Sequence, residues 1–170
     1  MNDGLKGIIY FVVLVLAQVL VLNNIHFLRL VTPFLYLYFI VKMPVGASSS
    51  RVTFLSFLLG LIIDIFSNTP GMHAAACTLA GFVRPTIIKI LMGDELLDTI
   101  SPSYKTFGYG GFFRYLFVLV VIHHLTLFLL ESLTFYDPLF LLLRIVASIV
   151  ATMLLIGIVE AFNLDTQRNE

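Results

Sequence analysis

The chain has 170 residues, 59% of them hydrophobic and 12% charged, with ten basic and ten acidic side chains and a formal net charge of zero. A soluble domain carries about 25% charged residues, and half that cannot cover a water-facing surface; with a mean hydropathy of +1.02, the composition excludes a water-soluble fold and places the chain in a bilayer. The balanced charge gives no footing for nucleic acid or for general attraction to anionic lipid.

Charges and helix breakers divide the sequence into six apolar runs, the pattern of an all-α integral membrane protein with one transmembrane domain over 1–170 and about six transmembrane helices joined by short loops. The first run, over 7–24, has the length of a signal peptide, but it leads into Asn23-Asn24-Ile25-His26 without a small-x-small cleavage pattern and reads as a retained helix. The second, over 33–45, opens at Pro33 and closes at Lys42-Met43-Pro44. A helix of that length spans only about 20 Å, so it either thins the bilayer or extends back through Ile25–Leu30 and buries Arg29. The third covers 51–66, after a Ser48-Ser49-Ser50 turn. The fourth covers 70–92, with Thr69 as N-cap, Pro70 at the first helical position and a kink at Arg84-Pro85. The longest connection runs from Gly93 to Gly111, where Leu96, Leu97 and Ile100 at helical spacing form either a short interfacial helix or a plain surface connection. The fifth and sixth runs cover 112–131 and 138–162.

Orientation follows from the basic residues. Six crossings with the N-terminus inside put Lys6, Lys42, Arg51, Arg84, Lys89, Lys105, Arg114 and Arg168 on the cytoplasmic side, against Arg29 and Arg144 outside. Both termini are expected in the cytoplasm.

Charge inside hydrocarbon costs roughly 3 kcal/mol or more, so each buried polar group needs a reason. Asp64 ends the third run and His73 begins the fourth; across a tight turn the carboxylate and the imidazole can meet, or Asp64 reaches the headgroups or caps the following helix. Arg144 lies about 9 Å into the last run and has to snorkel or pair, with Glu131 and Asp64 as the acids within reach. Asp64, His73, Glu131 and Arg144 would form a near-neutral outer layer. His123 and His124 point about 100° apart and cannot share a metal from one helix; interhelical hydrogen bonding suits them better. His124 and Glu131, seven residues apart, share a face. A single cysteine, Cys77, excludes an internal disulfide or a cysteine cage. With no phosphate loop, nucleophile elbow or zinc motif, no catalytic residue, cofactor or metal is expected.

The segment Gly60-Leu61-x-x-Asp64, a short turn, then Gly71-x-His73 followed by Ala74-Ala75-Ala76 resembles the MreD family of bacterial rod-shape-determining membrane proteins. The Pro33-led short apolar run ending at Lys42 is similar to that family's preceding span. Phe34 stands where a polar residue is common, and Met72 where leucine is usual. The resemblance implies a non-enzymatic scaffold of cell elongation in the bacterial inner membrane, beside an MreC-like protein, MreB filaments, a RodA-like glycosyltransferase and a class B transpeptidase. It also implies a fold similar to the substrate-binding subunits of vitamin ECF transporters, and such a subunit is the alternative function. That alternative calls for a small-residue docking face on the first helix, where Ala17 is the only alanine.

Overall fold

The computed structural model describes residues 3–24, 31–93, 98, 100–132 and 137–168. Among them the chain is all-helical: α1 (Asp3–Leu20), α2 (Leu37–Lys42), α3 (Ser49–Ser67), α4 (Met72–Met92), α5 (Tyr104–Ser132) and α6 (Pro138–Arg168), with a 3-10 turn at Leu22–Asn24 after α1. Four of these, α3 to α6, are long and apolar enough to cross a membrane, and α1 carries a shorter apolar stretch over Gly7–Leu20. Ile8, Val12, Ile65, Phe82, Ile90 and Leu154 are exposed on the outside of the bundle, and apolar side chains of this size ringing a molecule require lipid as solvent. The protein is a multi-pass helical membrane protein.

Consecutive helices pack side by side: α3 on α4, α4 on α5, α5 on α6, with α1 closing against α3. Small residues set the closest contact. A Cβ at Gly60 would lie 2.6 Å from the Cα of Ala74, and one at Gly81 would lie 2.7 Å from the Cβ of Ser56, so the α3 and α4 backbones touch where neither partner is bulky. α4 runs through Pro85 without ending. The helix expected from 112 begins at Tyr104 and bends at Gly108, whose φ of 68° is open only to glycine at little cost. Ser49 and Ser50, expected in a turn, already belong to α3. Leu96 and Leu97 of the expected interfacial helix, and Arg29, lie outside the described residues.

The second apolar run departs most from expectation. Only Leu37–Lys42 is helical, about 9 Å of rise, and the chain reaches it through the non-helical stretch 31–34 and a turn. The run is no lipid-facing helix. Tyr36, Leu37, Tyr38, Ile40 and Val41 are completely buried, and the segment forms the centre of the bundle. Irregular backbone at membrane depth is tolerated only inside protein, with every polar group given a partner. Side chains from four helices supply those partners. Thr32 N–H donates to Ser148 Oγ at 3.1 Å, Phe34 N–H to Thr152 Oγ1 at 3.0 Å and Leu35 N–H to Gln18 Oε1 at 2.8 Å, while Gln18 Nε2 donates to Pro33 O at 3.1 Å. Past α2, the guanidinium of Arg84 donates to the carbonyls of Met43 and Pro44, and Tyr115 donates to Val41 O at 3.2 Å. Arg84 is fully buried, so it seals the C-terminal end of α2 and is not a surface charge.

The bundle therefore has two polar ends. At the hairpin end Gln18, Asn23 and Ser67 form a chain of side-chain hydrogen bonds across α1 and α3. At the far end Lys42 pairs with Glu160 at 3.2 Å, and Tyr38 donates to Glu160 and receives the Asn163 amide at 2.7 Å.

Candidate functional site

The α3–α4 hairpin is organised by one carboxylate. Asn68 takes the left-handed conformation that ends α3, and its N–H returns to Asp64 O. Asp64 itself is buried, and its two oxygens receive the Thr69 hydroxyl at 2.8 Å and the N–H groups of His73 and Ala74, both at 2.9 Å. These N–H groups belong to the first turn of α4, where no intrahelical acceptor exists and the helix dipole favours a negative charge. Thr69 is thus not the N-cap: α4 begins at Met72, its N-cap position Gly71 contributes no side chain, and the cap comes from the preceding helix. Asp64 also does not bond the ring of His73, although it bonds that residue's backbone.

The ring turns the other way. His73 Nδ1 is 2.7 Å from Tyr36 Oη, which lies 3.0 Å from His123 Nε2, and Cys77 Sγ lies 3.8 Å from the same nitrogen. Phe34 sits edge-on to both His73 and His123 and tilted against His124, so three imidazoles surround the start of the irregular segment. Cys77 and His123 are each completely buried, which gives this thiol–imidazole neighbourhood no access to a substrate. His124 is assigned by its partners. The Val120 carbonyl at 2.9 Å can only accept, so Nδ1 carries the proton; Nε2 then accepts from the Thr152 hydroxyl at 3.1 Å, the same hydroxyl that accepts Phe34 N–H. This satisfied chain points into the core, so His124 does not continue a polar stripe with Glu131. Among the described residues no three His, Cys, Asp or Glu side chains are placed to hold a metal ion.

Arg144 pairs with Glu131 at 2.8 Å, not with Asp64, and its guanidinium lies 4.8 Å from the centre of the Phe128 ring. Their side chains keep 21% and 28% of their exposure, so the pair is only partly dehydrated. Both line a cavity of about 690 Å³ at the hairpin end, which His73 and Thr69 also line. The expected polar layer is thus divided: His73, Glu131 and Arg144 share the cavity, whereas Asp64 is consumed in the turn beside it.

Sequence reasoning missed the residues that hold the irregular segment, namely Gln18, Tyr36, Arg84, Tyr115, Ser148 and Thr152. Their signal was weak but present: Gln18 and Arg84 are polar residues inside apolar runs, and each demands a buried partner.

No protein-family model matches the chain, no curated protein matches it, and no solved structure matches it.

Proposed function

We propose that the protein is a non-enzymatic scaffold of the cell-elongation machinery in the bacterial inner membrane, crossing it six times with both termini in the cytoplasm. This count includes as a crossing the buried segment 31–43, which contains α2. The observation that carries the reading is the use made of the MreD-like hairpin. Asp64 is spent on three hydrogen bonds that fix the turn, and His73 joins that turn to the central segment through Tyr36. Groups placed this way make a rigid end on the bundle, suited to recognition by another membrane protein and not to proton transfer. An MreC-like protein and the RodA-like glycosyltransferase with its transpeptidase are the proposed partners, with MreB filaments on the cytoplasmic side.

The cavity favours a second reading, a substrate-capturing subunit of a vitamin transporter. Against it, α1 presents Leu5, Ile8, Val12 and Leu16 to lipid, where a docking face of small residues is wanted. Affinity capture of the full chain from solubilised membranes separates the two. Cell-wall synthesis proteins in the eluate, lost in a His73→Ala variant that still folds, support the scaffold; ATPase subunits in their place overturn it.

A further inference from the structure

On their lipid-facing side, α3 and α4 carry a groove made of two adjoining cavities, of about 550 and 410 Å³. Thr53, Phe57 and Phe82 line both, so the two run into one another, with Gly71 towards the hairpin end and Ser49 and Ser50 at the far end. Ala74, Ala75 and Thr78 make a low floor, and the exposed rings of Phe54, Phe57 and Phe82 stand along it. Thr78 spends its hydroxyl on Ala74 O at 2.6 Å, so it asks no polar partner of an occupant. From Ser49 to Phe57 the groove follows α3 for about 12 Å, close to the roughly 15 Å of hydrocarbon in one leaflet.

Charge sets the chemistry of the occupant. The groove lining contains no acidic residue. At its far end Arg51, next to Ser50, is exposed and makes no hydrogen bond or ion pair among the described residues. Lys89, seven residues past Phe82 and so on the same face of α4, is exposed at that end too. The start of α3 adds to the positive field: Ser48 provides no side-chain cap, and the first helical bond is Val52 N–H to Ser48 O at 3.0 Å. The acid nearby, Asp98, packs against Gly46 before α3 and receives that residue's N–H on its carbonyl; it does not pair with Arg51. The chain as a whole is neutral, so the attraction is local to this mouth. We propose that the groove holds one anionic phospholipid of the surrounding bilayer, with an acyl chain along Thr53, Phe57 and Phe82 and the phosphate at Arg51. A zwitterionic lipid brings its own cation and gains less at the same mouth, and a partner's apolar helix would fill the groove without answering the charge. The proposal does not rest on the scaffold reading: lipid retention is measured on the isolated chain and partner capture is not, so either can fail alone.

Native mass spectrometry of the full-length protein in detergent reads this directly, with palmitoyl-oleoyl phosphatidylglycerol and the phosphatidylcholine of the same chains as probes. Wild type should retain one phosphatidylglycerol about fivefold or more tightly than phosphatidylcholine. Arg51→Gln removes the cation from an exposed position and should bring the two lipids level. Thr53→Phe fills the groove where its two cavities meet while leaving Arg51 in place, and should also remove the tightly held phosphatidylglycerol. Level retention of the two lipids by wild type overturns the proposal and leaves the groove to a partner's helix. An undiminished preference in either variant, once monodisperse elution shows it folded, overturns it as well; in Thr53→Phe it would mean that the cation attracts headgroups without the groove. If Thr53→Phe does not fold, Ala75→Leu, which intrudes on the same groove from α4, takes its place.

Discussion

At the scale of single residues, what a buried group touches decides which substitution is conservative. All three partners of the Asp64 side chain are donors. Asparagine keeps the shape of aspartate but replaces one acceptor oxygen with an NH2 group, which would face an N–H or hydroxyl donor. Asp64→Asn should therefore cost about 1–3 kcal/mol, and Asp64→Ala as much or more, because each leaves donors of the first turn of α4 unsatisfied. Thermal unfolding in detergent checks this: both variants melt below wild type, and an Asn variant melting with wild type would contradict the cap. The Arg144–Glu131 pair stands differently. With about a quarter of each side chain exposed, Arg144→Ala should cost about 1 kcal/mol, well below the toll of stranding a fully buried charge. Adding Glu131→Gln should recover part of the loss in the same unfolding assay.

At the scale of elements, the irregular segment 31–43 depends on acceptors and donors that other helices lend it. Thr152 is the sharpest test, since its hydroxyl accepts Phe34 N–H and donates to His124 Nε2. Thr152→Val is nearly the same size and orphans both groups, so it should lower stability by about 2–4 kcal/mol, while Thr152→Ser restores the hydroxyl and most of the loss. Equal melting temperatures for the Val and Ser variants would remove Thr152 from this role. Here lies the boundary of what the sequence reveals. Long runs of apolar residues between charges were legible as helices, because α3 to α6 satisfy their own backbone within the helix and need only length. The turn was legible as a turn from Asn68, Pro70 and Gly71; for its cap the sequence offered both Thr69 and Asp64, and the structure takes Asp64, five and more residues earlier in the chain than the groups it caps. The short run after Pro33 was not legible, because its conformation is fixed by Gln18, Arg84 and Thr152, which lie far away in sequence. For the same reason Asp64 and His73 were found as a pair while their division of labour was not: whether a carboxylate meets a ring or the peptide N–H beside it is settled by packing.

At the scale of the whole molecule, the placement of the two ends constrains topology beyond what charge counting does. The ring of Tyr10, early in α1, packs tilted against that of Tyr38 with centroids 5.8 Å apart, and Tyr38 bonds Glu160 and Asn163, late in α6. The start of α1 and the last turns of α6 thus lie at the same far end, which predicts an even number of crossings with the termini on one side. Which side is a matter of charge. Arg84 leaves the count, because it is fully buried and spent on α2. Lys42, Arg51, Lys89, Lys105 and Arg114 still gather towards the far end, with Arg144 at the hairpin end. The excess of basic residues at the far end predicts that it faces the cytoplasm. Reporters active only in the cytoplasm or only in the periplasm, fused before Asp3 and after Arg168 in turn, should both read cytoplasmic. Two periplasmic readings would invert the orientation but keep the fold. Opposite readings at the two ends would contradict the packing of α1 and α6 against the central segment itself.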